Sequence, residues 1–188
     1  VDLIQQLSSP VDKIRTLELM KLADWLIVTG SQSNVRAAYS SGTPAIGVGA
    51  GNVTVIVDET ADLDAAAFKI MKSKTFDHAT SCSSENALVV VDKIYDTFLE
   101  KLGDCGGRLL AEQEKQTLQD SLWVNGKLNR QMLARDAEIL CQMADLKRID
   151  STETKFLMVE ESGIGPDYPF SGEKLSPVLS VYRASDFD

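Results

Sequence analysis

Apolar positions in the first part of the chain recur with periods that predict alternating helices and strands. Residues 25–28 are continuously apolar, which is typical of a strand covered on both faces. Residues 29–31 then turn into a helix that runs through Tyr39, and the β-branched run 53–57 predicts a second strand. A helix is also predicted for residues 12–23, whose apolar positions fall mostly on one face: Ile14, Leu17, Leu19, Met20 and Leu22.

A longer helix follows the strand at 53–57, with Thr60 or Asp62 as its candidate N-cap. Its apolar stripe ends in a lysine and comprises Leu63, Ala66, Ala67, Ile70, Met71 and Lys74. Because strands and helices alternate in this order, the strands are expected to pair in parallel through right-handed crossovers. The fold class predicted from the pattern is therefore α/β.

The second part continues the alternation with a strand at 87–91 and a helix that opens at Asp92. Gly103 is the expected residue after the end of that helix. The pattern further predicts helices at 109–123 and 127–145, strands at 155–160 and 177–182, and a glycine-, proline- and aspartate-containing loop at 162–172.

Composition narrows the function classes. The 188 residues are 44% hydrophobic and 25% charged, with a net charge of -9, so a phosphate-binding surface rich in Lys and Arg is not expected. An anionic membrane surface is disfavoured for the same reason, and no apolar run approaches a membrane span or a secretion leader. Three cysteines without CxxC spacing fit free thiols in a reducing, cytoplasmic setting, and a single histidine gives no basis for a zinc site.

Cys82 is the candidate nucleophile, because small polar residues surround it between a predicted helix and a predicted strand. A buried cysteine often serves only as a small hydrophobic residue, but the hydroxyl-bearing neighbours favour an accessible thiol: Thr80, Ser81, Ser83 and Ser84. His78 need not be its base, because a surface or hydrogen-bonded histidine is the favoured interpretation. Cys105 and Cys141 lie in helical or pre-loop settings and are interpreted as structural.

Two glycine-containing segments are candidate ligand contacts. Thr29, Gly30 and Ser31 join a strand to a helix, which places N–H groups and a hydroxyl where an anion such as a diphosphate binds; an ordinary strand-to-helix turn remains the alternative. Residues 47–52 carry three glycines at alternate positions but do not form the GxGxxG motif. They either let a strand and a helix pack closely or leave space where a ligand passes.

Four stretches give a family resemblance: AAYSSGTPAIGVGAGN at 37–52, VDETAD at 57–62, SKTFD at 73–77 leading to Cys82, and EKLSPV at 173–178. With this spacing the chain resembles the aldehyde dehydrogenase superfamily, in particular its coenzyme-A-acylating branch, and the likeness is weakest over 104–150. It implies the middle of a longer protein. Residues 1–77 would belong to the Rossmann-type NAD(P)-binding domain and residues 78–188 to the α/β catalytic domain.

The resemblance also implies roles for individual residues. Cys82 matches the nucleophile, and its own N–H would help to hold the oxyanion. Glu173 matches the glutamate that holds the nicotinamide ribose, and the remaining cofactor contacts would be Thr29, Gly30, Ser31, Gly47 and Val48. Gly47 stands where hydrolytic members carry the glutamate that activates water.

Without that carboxylate, the thiol of coenzyme A would release the acyl group from Cys82, and the reaction would be reversible. The implied cofactor is NAD or NADP, with coenzyme A as co-substrate. The expected partners are a small aldehyde or acyl-CoA and, in the full-length protein, further copies of the same chain. A hydrolytic aldehyde dehydrogenase and an inactive fragment or assembly module are the alternatives.

Overall fold

The computed structural model describes residues 3–49 and 51–187. These residues form two compact units, one within residues 1–50 and one within residues 51–188. The first unit contains two helices and two strands: α1 (Lys13–Leu22), β1 (Leu26–Thr29), α2 (Gln32–Tyr39) and β2 (Ala45–Val48). Its two strands pair in parallel, with Val28 opposite Gly47 and Thr29 opposite Val48.

Local polar residues begin both helices of the first unit. The Asp12 side chain accepts the Arg15 N–H at 2.8 Å, and the Ser31 side chain accepts the Asn34 N–H at 3.3 Å. Strand β2 lies in the glycine-rich segment. Two of residues 45–49 are glycine, so the sequence shows no apolar alternation there.

One expectation for the first unit is wrong. Strand β1 was expected to be covered on both faces, but Ile27 is 78% exposed while its neighbour Leu26 is buried. Ile46 and Val48 on β2 are exposed as well, so within the described residues of this unit one face of the strand pair has no covering layer. A continuous apolar run indicates that both faces of a strand can be buried. Burial of the second face also requires a layer of structure packed against it, which the described residues of this unit do not form.

The second unit is built on a five-stranded parallel sheet in the order β3-β4-β9-β8-β5. Its strands are β3 (Val53–Val57), β4 (Glu85–Val91), β5 (Gly107–Leu109), β8 (Phe156–Glu160) and β9 (Val178–Ala184). A small antiparallel hairpin is formed by β6 (Trp123–Val124) and β7 (Lys127–Leu128). The helices are α3 (Leu63–Thr75), α4 (Asp92–Asp104), α5 (Glu112–Leu122) and α6 (Ala137–Met143), and short 3₁₀ segments cover Phe76–Ala79 and Pro169–Ser171.

The central strands of this sheet are buried on both faces, as expected for parallel strands with helices on either side, whereas the edge strand β3 leaves Ile56 59% exposed. Strand β8 shows the alternation: Leu157 and Val159 face a core shared with α5 and α6, while Phe156 and Met158 face a core shared with α3 and α4. The predicted α/β class and parallel pairing are confirmed.

The second unit also corrects three details of the sequence analysis. Helix α4 continues through Gly103 to Asp104, and Gly106, at φ 95°, supplies the left-handed residue after it. The helix expected over 109–123 begins only at Glu112, because Leu109 is the last residue of β5. The helix expected over 127–145 is replaced by the β6–β7 hairpin and the short α6, because Asn125 and Gly126 adopt positive φ and reverse the chain.

Because all five strands are parallel, the segments that precede them meet at one edge of the sheet, called here the amino edge. Residues 51–52 precede β3, residues 80–84 precede β4 and residues 171–177 precede β9. Strand β3 and helix α3 belong to this unit, since β3 pairs with β4 along its length. The division of cofactor and catalytic roles at residue 77/78 concerns function and stays a prediction.

Candidate active site

Cys82 lies at the amino edge, in the turn between the 3₁₀ segment Phe76–Ala79 and strand β4, and it is exposed. Three consecutive residues before the turn, Asp77, His78 and Ala79, have φ of 48°, 50° and 58°. Left-handed backbone is costly for residues other than glycine and concentrates at functional sites. The strained segment turns the chain sharply out of α3 and leads it into the Cys82 turn.

Side chains hold this strained segment in place. The Thr80 hydroxyl donates to the Asp77 carboxylate at 2.8 Å and lies 2.7 Å from the Asp77 carbonyl oxygen. His78 Nδ1 lies 3.0 Å from Asp136 Oδ1, at the start of α6. His78 therefore pairs with a carboxylate, which favours the hydrogen-bonded interpretation of this histidine.

Hydroxyl groups flank the cysteine, as the sequence indicated. Ser81 Oγ and Ser83 Oγ lie 2.9 Å apart, and the Ser84 N–H donates to the Ser81 carbonyl at 3.0 Å. Among the described residues, three buried side-chain oxygens have no hydrogen-bond partner: Ser84 Oγ, Glu85 Oε2 and Ser176 Oγ. All three belong to segments that begin β4 or β9. Unpaired buried polar atoms are few in native proteins, and these three lie where two adjacent strands of the sheet begin.

Glu173 lies close to Cys82, and Gly51 shows how close. A Cβ placed on Gly51 would be 2.8 Å from the Cys82 carbonyl oxygen and 3.5 Å from Glu173 Oε1. The backbone of residue 51 therefore passes between the nucleophile segment and the carboxylate, and only a residue without a side chain fits there unchanged. Asn52, the next residue, links this backbone to the segment before β9, because its Nδ2 donates to the Ser171 carbonyl at 2.9 Å. Sequence reasoning singled out the glycine-rich segment but did not identify Gly51.

Two buried lysines lie under the site, and sequence reasoning missed their roles. Lys74 Nζ donates to the Glu85 carbonyl at 2.7 Å, and burial, partly offset by the Glu85 carboxylate, lowers the pKa of Lys74 to about 7. The sequence signal was a lysine at the end of the α3 apolar stripe. Lys174 is fully buried, and burial together with the charge of Lys74 lowers its pKa well below the usual value.

The remaining predicted contacts lie in the first unit. Thr29 ends β1, Gly30 has φ 110°, and Ser31 caps α2, so the predicted turn and helix start are present. The N–H groups at the start of α2 and the Ser31 hydroxyl have the arrangement that binds anions at helix N-termini. Their role as cofactor contacts remains a prediction.

Gly47 and Val48 are strand residues of β2 rather than part of a loop. A Cβ on Gly47 would lie 2.7 Å from Val35 Cγ1 and 3.1 Å from Tyr39 Cε2, both on α2. Close packing of helix on strand thus requires glycine at 47, which is the structural interpretation of this segment. The prediction that coenzyme A rather than water releases the acyl group, which depends on the lack of a carboxylate at residue 47, is unaffected by this packing.

Other features of the described residues are negative or lie away from Cys82. In the ranges 3–49 and 51–187, no group of three or more His, Cys, Asp or Glu residues could hold a metal ion. None of the helices in these ranges is long and apolar enough to cross a membrane. A cavity of about 600 Å³ opens at the carboxyl ends of the strands, lined by Tyr95, Lys115, Glu161 and Arg183 among others. Cys82 is not among the residues that line this cavity.

Comparison with known proteins gives one family. A model of the "Aldehyde dehydrogenase family" matches residues 21–117. The chain is 54% identical over 186 residues to a sulfoacetaldehyde dehydrogenase (acylating) of Cupriavidus necator, covering 99% of this chain and 38% of the relative.

Solved structures agree in fold. An acetylating aldehyde dehydrogenase from Geobacillus thermoglucosidasius superposes with a TM-score of 0.88 at 41% identity, over 93% of this chain and 39% of that one. Propionaldehyde dehydrogenase from Rhodopseudomonas palustris, with bound CoA and an acylated cysteine, gives 0.78 at 26% identity over 93% and 40% of the two chains. The chain thus spans about two fifths of the length of each of these three relatives.

Proposed function

The chain belongs to the aldehyde dehydrogenase family, and on this premise we propose that it carries the nucleophile and part of the cofactor site of a coenzyme-A-acylating aldehyde dehydrogenase. The observation that supports the proposal is the approach of the Cys82 segment and the Glu173 carboxylate on either side of Gly51. An accessible thiol beside a carboxylate that can accept ribose hydroxyls is what the reaction needs.

The cofactor fits the groups at this edge. Gly51 keeps a side chain out of the place where the Cys82 carbonyl oxygen and the Glu173 carboxylate come close together, since a Cβ there would lie 2.8 Å from that oxygen. Glu173 would accept hydrogen bonds from the nicotinamide ribose, and the turn Thr29-Gly30-Ser31 would donate to the diphosphate. When bound, NAD or NADP accepts the hydride.

The chain's own residues carry the covalent steps. The Cys82 thiolate attacks the aldehyde carbon, forming a C–S bond, and the Cys82 N–H donates to the resulting oxyanion. Loss of hydride leaves a thioester on Cys82. Since Gly47 offers no carboxylate to activate water, coenzyme A takes the acyl group by thiol exchange, and the Cys82 thiolate is released. In reverse, the same residues reduce an acyl-CoA to the aldehyde.

The proposed division of roles follows the resemblance: residues 1–77 carry the cofactor contacts other than Glu173, and residues 78–188 carry the nucleophile and Glu173. Identity to the Cupriavidus necator enzyme favours sulfoacetaldehyde as the aldehyde, with acetaldehyde and succinic semialdehyde as competitors. A homo-oligomeric state and a cytoplasmic location remain predictions.

The test uses a full-length protein that contains this chain. NADH or NADPH formation from a panel of aldehydes is measured with and without coenzyme A, and the product is identified as acyl-CoA or free acid. We expect acyl-CoA and complete loss of activity in Cys82→Ser, while the matched Cys105→Ser variant keeps it. Coenzyme-A-dependent turnover by Cys82→Ser would refute the role of Cys82, and free acid formed at full rate without coenzyme A would favour the hydrolytic alternative.

A further inference from the structure

Asn86 connects the two halves of the site. It lies four residues after Cys82, on the second residue of β4, and its side chain is buried. Asn86 Oδ1 accepts the backbone N–H of Lys174 at 3.2 Å, and Lys174 is the residue after Glu173. One side chain on the nucleophile segment thus holds the backbone next to the carboxylate.

Lys174 cannot move independently of this link. Its Nζ donates to the Phe170 carbonyl at 2.7 Å, the Gly172 carbonyl at 3.0 Å and Ser180 Oγ at 3.2 Å. Ser180 Oγ in turn donates to the Phe170 carbonyl at 2.6 Å. These three oxygen atoms all lie within hydrogen-bonding distance of Lys174 Nζ. The segment before β9 is therefore tied together from within, and Asn86 ties it to β4.

The geometry points to Asn86 as a positioning residue that fixes the Glu173 carboxylate relative to Cys82, an inference that rests on the function proposed above. Asn86 is buried, and the hydrogen bond that its Oδ1 accepts comes from the Lys174 N–H. It acts on the cofactor through Glu173. Loss of the acceptor leaves the Lys174 N–H unpaired in a buried place, and the segment shifts to find another partner.

The experiment compares three variants of the full-length protein. Asn86→Leu removes the acceptor at similar volume, and Asn86→Asp keeps an oxygen at the same reach. Tyr95→Phe is the matched control, because it also removes one side-chain hydrogen bond, from Tyr95 OH to Glu160 at 2.8 Å, but at the carboxyl ends of the strands. Each variant is measured for KM and kcat with NAD(P)+ and for the alkylation rate of Cys82 by iodoacetamide.

We expect Asn86→Leu to raise KM for NAD(P)+ about tenfold, the scale of one lost buried hydrogen bond. Alkylation of Cys82 should stay within about twofold, because the thiol itself is not displaced. Asn86→Asp should recover most of the loss, and Tyr95→Phe should keep the original KM. If Asn86→Leu does not fold, Asn86→Ala makes the same comparison.

An unchanged KM in Asn86→Leu, an equal rise in Tyr95→Phe or a loss in Asn86→Asp as large as that in Asn86→Leu would overturn the inference. Absence of NAD(P)+-dependent turnover in the unmutated protein would instead refute the proposed function. The link is then still tested by hydrogen exchange of a peptide covering residues 171–178. Its exchange should accelerate in Asn86→Leu, and unchanged protection would show that Asn86 does not hold the segment.

Discussion

Replacing Gly51 by alanine tests the crossing between Cys82 and Glu173 most directly. The added Cβ would lie 2.8 Å from the Cys82 carbonyl oxygen, whereas ordinary contact begins near 3.4 Å. The carbonyl must therefore retreat by 3.4 − 2.8 = 0.6 Å. The contact is with backbone rather than with a flexible side chain, so the displacement is transmitted to the cysteine.

The structure sets the size of the effect. Displacement of a reacting group by about 1 Å costs on the order of a hundredfold in rate, so a shift of this size predicts a loss of roughly tenfold to twentyfold in kcat. Stability should fall by about 1–3 kcal/mol, the usual cost of forcing an extra methyl into a packed site. Gly51 does not have positive φ, so the effect comes from the contact and not from backbone strain.

The assay is single-turnover hydride transfer in the full-length protein, combined with thermal unfolding. Gly103→Ala is the control, because no atom lies within 4 Å of its added Cβ and the residue is inside helix α4. There alanine should raise stability by about 0.5–1 kcal/mol and leave the rate unchanged. A Gly51→Ala rate within twofold of the original, or an equal loss in Gly103→Ala, would refute the reasoning.

Three further results are expected. Burial lowers the pKa of Lys74 from 10.5 to about 7, so between these pH values the unfolded state binds more protons than the folded state. The free energy of unfolding of the original protein, measured with urea, should therefore rise relative to that of Lys74→Met as the pH increases through this window. A difference that does not change with pH would contradict the burial effect. In the native protein at pH 8, iodoacetamide should modify the exposed Cys82 and spare Cys141, since burial raises the pKa of Cys141 to about 11; peptide mapping that finds equal labelling would be contrary. Phe170→Ala should lower the free energy of unfolding by about 3–5 kcal/mol, because the ring is fully buried and packs edge-on against Trp123 with centroids 4.9 Å apart; a loss below about 1 kcal/mol would show that the site collapses freely.

The longer regular elements could be predicted because their periods are strong and their signals local. The apolar stripe of α3 and its Asp62 cap were visible in the sequence, and the β-branched run of β3 was equally clear. Short elements failed: β5 has three residues and β6 has two, fewer than one alternation needs to be recognised. The helix expected over 127–145 was wrong because Lys127 and Leu128 pair in β7 and Ala134 has a positive φ of 54°, so a helix forms only over Ala137–Met143.

The candidate site likewise contains residues that the sequence indicates and residues that only the structure reveals. Cys82 and Glu173 were predicted from their motifs, since each is recognisable without knowledge of its neighbours. Their approach depends on which strands lie side by side, and no local pattern reports that β4 pairs with β9. Gly51 and Lys174 are for this reason visible only in the structure: one is defined by two segments crossing, and the other by three acceptors brought from along the chain.

Cys82 precedes β4 and so lies at the amino edge of the sheet, whereas the cavity lined by Tyr95, Lys115, Glu161 and Arg183 opens at the opposite edge. Seven residues of β4 at about 3.3 Å each put the two edges about 20 Å apart. Residues 162–168 leave β8 at that far edge but lead back to the amino edge, since the Gly165 N–H donates to Ser171 Oγ at 3.0 Å. A change in the length or composition of this loop would therefore act on the segment that carries Glu173.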